Sequence, residues 1–290
     1  MSIARILKLP FHPESGAEAD RATREFGYGL ARAMAGGIIF SLPMLMTQEM
    51  WRLGQTIPAE NMALLLVVTL PLLFGLSRLS GFKRTGSWLQ DAVDVFVAYA
   101  VGVAASALVL AILGRVTPDL SLRAITGMLT LQTVPTSMGA LLAQSQFGQH
   151  DEDDVISSGG GGYWSELLVM ASGALFLGFN VAPTDEVIMV AHSMSTEALL
   201  LLAVLSLLSM HAFVYAVEFR GQEAIPEGGS PRRAFLLLTV TGYALVLCMS
   251  AFLLWTFGRF SSSSITVVMG ATVVLAFPAS IGAAAARLIL

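Results

Sequence analysis

Two acids sit in matching surroundings: Glu49 follows Pro43 and Thr47, and Glu186 follows Pro183 and Thr184. Each closes a long apolar run. Carboxylates at membrane depth are costly to desolvate, so they usually face a water-filled path or a partner and often bind or relay cations. With Thr47, Thr184, Asp185 and Asn180 they form the first set of candidate ion-pathway groups. The structural alternative is that Thr47 and Thr184 cap short interfacial helices, whose first turn favours an acid. Both readings hold together where a helix broken at proline lines a protein-walled cavity.

A second set opens or interrupts the runs. Asp91 and Asp94 stand three residues apart on one helical face, near Lys83 and Arg84. Such a pair binds a cation, holds one member protonated beside the other, or is ion-paired and hydrated. Pro135 and Pro278 interrupt two runs, with Thr136, Ser137 and Ser280 just after and Gly139 and Gly282 one turn on. Each proline removes a helical hydrogen bond. The freed carbonyls and hydroxyls would coordinate a dehydrated ion or form a hinge; the alternative is a kink with close small-residue packing. Gln132, like Asn180, adds polar character that needs a partner or water.

Other chemistries find little footing. His192 and His211 are lone, and no His-Glu-x-x-His or comparable cluster is present, so no metal site is expected. Lys8 and Lys83 are the only lysines and neither is central in an apolar run, which speaks against a retinal Schiff base. No phosphate-binding glycine loop occurs, and no cofactor is expected. Cys248 is the only cysteine. It excludes an intrachain disulfide and reads as a buried small hydrophobe. Lys+Arg 16 against Asp+Glu 20 gives a net charge of -4, with no basic stripe to hold nucleic acid.

The elements that must position these groups are set by composition. Of 290 residues, 55% are hydrophobic and 12% charged, and the mean hydropathy is +0.74. That excludes a soluble fold and makes the lipid bilayer the first partner. Apolar runs fall near 28–50, 61–79, 88–113, 121–145, 164–183, 197–219, 233–257 and 264–288. They predict an all-α polytopic membrane protein of about eight transmembrane helices. Residues 1–25 show no compact apolar stretch with a cleavage site, so the first crossing would itself direct insertion. With the N-terminus inside, twelve of the 16 basic residues fall on the cytoplasmic side, leaving Arg52, Arg115, Arg123 and Arg259 outside. Both termini are then cytoplasmic.

The second half repeats the first. Met34, Ala35, Gly37 and Phe40 fall on Met170, Ala171, Gly173 and Phe176, and Thr47 and Glu49 fall on Thr184 and Glu186 after one inserted residue. Tyr99 to Gly114-Arg115 falls on Tyr243 to Gly258-Arg259, and Pro135 to Ala140 on Pro278 to Ala283. Four matches in order indicate a duplication. The expected domains are a cytoplasmic segment 1–27, a first four-helix repeat 28–147, an acidic Gly-rich cytoplasmic linker 148–163, and a second four-helix repeat 164–290. Units of four crossings enter the membrane in the same direction, so the repeats are expected to be parallel. His150 and the acids at 151–154 lack the ligand spacing of a calcium loop and read as a solvated tether.

The segments Pro43-Met44-Leu45-Met46-Thr47-Gln48-Glu49-Met50-Trp51 and Asn180-Val181-Ala182-Pro183-Thr184-Asp185-Glu186 resemble hallmarks of an uncharacterised family of prokaryotic multi-pass integral membrane proteins. The resemblance covers most of the chain. It implies a bacterial inner-membrane setting and no particular chemistry.

Three functions compete. The first is an ion channel or uniporter for a small cation, with a path between pseudo-symmetric halves and Glu49 and Glu186 at its outer mouth. A homodimer would bring four repeats around one axis. The second is a membrane-embedded glutamate-dependent hydrolase. Its support is the likeness of Pro183-Thr184-Asp185-Glu186 to the paired-acid motif of glutamate-type intramembrane proteases, with His211 assisting. That family has adjacent glutamates and an arginine a turn later, where this chain has Asp185 before Glu186 and then Met189. The third is a non-transporting assembly or sensor protein.

Overall fold

The computed structural model describes residues 16–79, 88–147, 163–215, 235–261 and 263–289. Among them the chain is all-helical. The helices are α1 Gly16–Leu45, α2 Gln48–Thr56, α3 Ala59–Leu79, α4 Trp88–Ile112, α5 Leu122–Phe147, α6 Tyr163–Val181, α7 Glu186–Ser193, α8 Thr196–Tyr215, α9 Thr241–Thr256 and α10 Ile265–Ile289. A π-helical stretch, Phe235–Val240, leads into α9.

Six helices are long and apolar enough to cross a membrane, over Phe26–Leu45, Ala59–Ser77, Asp91–Ile112, Tyr163–Val181, Leu238–Thr256 and Ile265–Leu288. The apolar part of α8, Thr196–Ala212, is shorter. Helix α5, over the expected fourth span, has 26 residues but falls outside this set. Its sequence is more polar because protein encloses it: all eleven residues from Leu131 to Leu141 are buried. Gln132, Thr133, Thr136 and Ser137 can therefore stand where a lipid-facing helix would carry leucine.

Hydropathy merges what the backbone divides. The expected run 28–50 is two helices, because α1 stops at Leu45 and α2 starts at Gln48. Pro43 lies in the last turn of α1 and offers no N–H to Ile39. The run 164–183 ends likewise at Val181, and α7 opens at Glu186. At the other end, α1 begins at Gly16, ahead of its apolar stretch.

Two compact units form. In the first, α5 is central, with α1, α2 and α4 packed on it and α1 also touching α4. In the second, α10 is central, with α6, α7, α8 and α9 packed on it and α6 also touching α9. Ile57–Leu65, including the opening of α3, belongs to the second unit. There Asn61 Nδ2 donates to the Thr256 carbonyl at 3.0 Å. Each half of the chain thus runs long, short, long, long, long.

Surface and interior reverse the pattern of a soluble bundle. Outward faces carry large apolar side chains such as Ile39, Phe96, Leu201 and Met269. Inward faces carry small or hydroxylated ones, which let helices approach closely where lipid provides no hydrophobic drive. At the α6–α10 crossing Gly173 and Gly282 face each other, and a Cβ on either would collide with the other's carbonyl.

One expectation is overturned: Cys248 is exposed. It lies on the outward face of α9, while Tyr243, Val246, Ser250 and Leu253 form the buried face. Its apolar neighbours in sequence reflect lipid-facing surface as much as core. The acidic linker at 150–154, the segment 1–15 before α1, and Lys83, Arg84, Arg220, Arg232 and Arg233 lie outside the described residues.

Candidate functional site

The chain breaks after α1 and α6 are held by the same device. Gly114 (φ 64°) and Gly258 (φ 70°) follow α4 and α9 in the left-handed region that favours glycine. In one, Arg115 N–H donates to Leu110 O at 2.8 Å and Gly114 N–H to Ala111 O at 3.0 Å. In the other, Arg259 N–H donates to Leu254 O at 2.8 Å and Gly258 N–H to Trp255 O at 2.9 Å. These are two copies of one Schellman cap, which satisfies the final carbonyls and turns the chain. The next residue in each case is an arginine that reaches the short helix of its own unit. Arg115 places its guanidinium 4.8 Å from the centre of the Trp51 ring on α2. Arg259 pairs with Asp185 at 2.5 Å and donates to the Pro183 carbonyl, just ahead of α7.

The C-terminal carbonyls of α1 would be orphaned at the break, a serious cost where water is scarce. Side chains take them. Thr47 Oγ1 donates to Pro43 O, Gln132 Nε2 to Met44 O at 3.1 Å, and Trp51 Nε1 to Leu45 O at 2.8 Å. In the second unit Thr184 Oγ1 donates back to Val181 O at 2.9 Å. The expected capping role is therefore reversed: both threonines serve the helix they follow. Asp185 is the N-cap of α7 but makes no side-chain cap bond. Glu49 lies half-buried in the first turn of α2, and Glu186 is exposed at the first position of α7.

A buried polar junction lies where α1, α4 and α5 meet. Thr136 Oγ1 is 3.1 Å from Ser41 Oγ and 3.2 Å from Ser106 Oγ, and 2.7 Å from the Gln132 carbonyl. Ser41 Oγ donates to Gly37 O at 2.5 Å. All three hydroxyl residues and Gln132 are fully buried. Because a carbonyl only accepts, the bond to Met44 orients the Gln132 amide, and its Oε1 is left buried without a hydrogen-bond partner. Gln132 and Thr136 are one turn apart on one face of α5, with Cβ atoms about 5–6 Å apart.

The second unit keeps the scaffold and drops this chemistry. By the repeat, Ser41, Gln132 and Thr136 correspond to Leu177, Leu275 and Ala279, and only Ser106 keeps a hydroxyl, as Ser250. The Ser250 hydroxyl is buried without a partner. Leu275 and Ala279 are fully buried in α10.

The remaining expected residues are mostly turned to local duties. Asn180 Nδ2 donates to Phe176 O at 3.1 Å, Ser137 Oγ to Val134 O at 2.9 Å, and Ser280 Oγ to Phe277 O at 2.8 Å. Pro135 is buried in α5, and Pro278 is half-buried in α10. Asp91 and Asp94 are buried at the start of α4. His211 Nδ1 is 3.1 Å from Thr239 Oγ1, about 22 Å along α8 from the end that α7 leads into. His192 is exposed in the last turn of α7. No group of three metal-ligating side chains occurs among the described residues.

Sequence reasoning missed Ser41, Ser106 and the two arginines as site residues. Ser41 and Ser106 lie singly in apolar runs, and only the fold brings them to Thr136. The arginines had a usable signal, since Gly114-Arg115 and Gly258-Arg259 match in the repeat. A family model described as "Putative integral membrane protein (DUF2391)" matches residues 29–290. No curated protein and no solved structure matches the chain.

Proposed function

The chain belongs to that family of integral membrane proteins, and from this premise we propose that it is a transport protein, a channel or uniporter for a small cation. The observation that carries the reading is the junction inside the first unit. An enclosed helix, α5, holds the buried amide oxygen of Gln132 without a partner, one turn from the Thr136 hydroxyl that meets Ser41 and Ser106. Helix packing accounts for the hydroxyls, but a buried amide oxygen without a partner is costly, and a permeating or bound ion would satisfy it. Asp91 and Asp94 are buried on α4, which also supplies Ser106, and Glu49 lies just past the break that Gln132 caps. Acids toward either end with neutral oxygens between them suit a cation path through that unit.

In this reading all eight long helices cross the membrane, α5 and α8 included, as two parallel four-crossing repeats. Both termini are cytoplasmic, in the inner membrane of a bacterium, and the protein works as a homodimer. Glu49 and Glu186 draw cations to the outer surface, and Thr47, Thr184, Asp185 and Asn180 shape the breaks that carry them.

The test is flux into liposomes holding the purified protein under K+, Na+, Ca2+, H+ and Cl- gradients. Cation-selective flux that falls or changes preference in Glu49→Gln/Glu186→Gln is expected. Absence of flux under every gradient and pH would overturn the reading in favour of an assembly or sensor role.

A further inference from the structure

The first-unit junction holds three hydroxyl hydrogens among a larger number of acceptors. Ser41 donates to Gly37 O at 2.5 Å. Thr136 Oγ1 has two acceptors for its one hydrogen, the Gln132 carbonyl at 2.7 Å and Ser41 Oγ at 3.1 Å, and Ser106 Oγ lies 3.2 Å from Thr136 Oγ1. Whichever acceptor Thr136 takes, acceptors are to spare, Gln132 Oε1 foremost among them. What is missing is positive charge or donors, so the site cannot suit an anion.

Architecture does not demand this chemistry. The second unit repeats the Gly-Arg turn, the short helix and the central helix, yet fills the corresponding positions with Leu177, Leu275 and Ala279. A partnerless buried amide oxygen disfavours the fold, and among the described residues only the first unit carries one.

We propose that the first unit binds one monovalent alkali cation between Gln132 Oε1 and the hydroxyls of Ser41, Thr136 and Ser106, and that the second unit is a scaffold without such a site. Neutral oxygens replace the hydration shell of a monovalent ion, as carbonyl rings do in selective pores. A divalent ion calls for carboxylate ligands, which the junction lacks. The proposal rests on the cation reading above and specifies the ion class and the place.

The test is thermal unfolding of the full-length protein in detergent, in LiCl, NaCl, KCl or RbCl against N-methylglucamine chloride at equal ionic strength. One alkali ion is expected to raise Tm by about 3 °C or more at tenfold excess over its Kd. The shift should vanish in Gln132→Leu and persist in Ser250→Ala. Should Gln132→Leu not fold, Gln132→Asn, which keeps the amide and shortens its reach, should change the order of ion preference. Equal Tm in all salts, or a shift that survives Gln132→Leu, would overturn the proposal and leave a buried water as the occupant. An ion-specific shift without liposome flux keeps the site and removes transport; flux without a shift keeps transport and removes the site.

Discussion

Arg259 and Asp185, 74 residues apart in the chain, meet at 2.5 Å where α6 gives way to α7. The same guanidinium donates to the Pro183 carbonyl, so one side chain ties the turn after α9 to the break before α7. Its counterpart Arg115 covers Trp51, whose indole N–H caps α1. One duplicated arginine therefore secures two breaks by different chemistry.

The two bonds of Arg259 should differ in weight. Asp185 keeps 72% of its side chain exposed, so its share is screened and small. Arg259→Met is expected to lower stability by about 2 kcal/mol and Asp185→Asn by less than about 1 kcal/mol. Unfolding in detergent and amide hydrogen exchange across 182–190 measure both. Equal losses would show that the ion pair, and not the carbonyl bond, holds the break.

The two Schellman turns predict equal penalties. Gly114→Ala and Gly258→Ala each force a Cβ into a left-handed conformation, for about 1–2 kcal/mol. Both sites have room, with nothing within 4 Å at Gly114 and only Ser261 Oγ at 3.9 Å at Gly258. Matching Tm losses would isolate the backbone term; a loss at one site alone would mean that the turns are not equivalent.

The hydroxyls of the two units should respond oppositely. Thr136→Val keeps shape but strips the centre of a three-helix junction, for an expected loss of about 1–2 kcal/mol. Ser250→Ala removes a hydroxyl that is buried without a partner, and is expected to be neutral or slightly stabilising. Chemical unfolding of the two variants side by side decides it.

Close approach can be separated from helix propensity at two glycines. Gly282→Ala drives a Cβ into the Gly173 carbonyl and is expected to cost more than about 2 kcal/mol or to abolish folded yield. Gly29→Ala in α1 meets nothing within 4 Å and should be neutral or up to about 1 kcal/mol stabilising. Comparable behaviour of the two would argue against the α6–α10 contact.

Apolar content determined that this is a helical membrane protein, because about 20 apolar residues in a row are what a bilayer crossing requires. The Gly-Arg pairs were legible too, since a backbone turn with positive φ leaves a glycine at a fixed place after α4 and after α9. The sequence could not divide the runs at Leu45 and Val181, for hydropathy is blind to a break whose carbonyls are satisfied by side chains from elsewhere. Nor could it tell inside from outside, where both faces are apolar: Cys248 looks outward and Asp94 inward for reasons of helix packing alone. Tertiary structure decided the chemistry. Ser41, Ser106, Gln132 and Thr136 come from three helices, and only their packing shows that one unit has a polar interior and its twin does not.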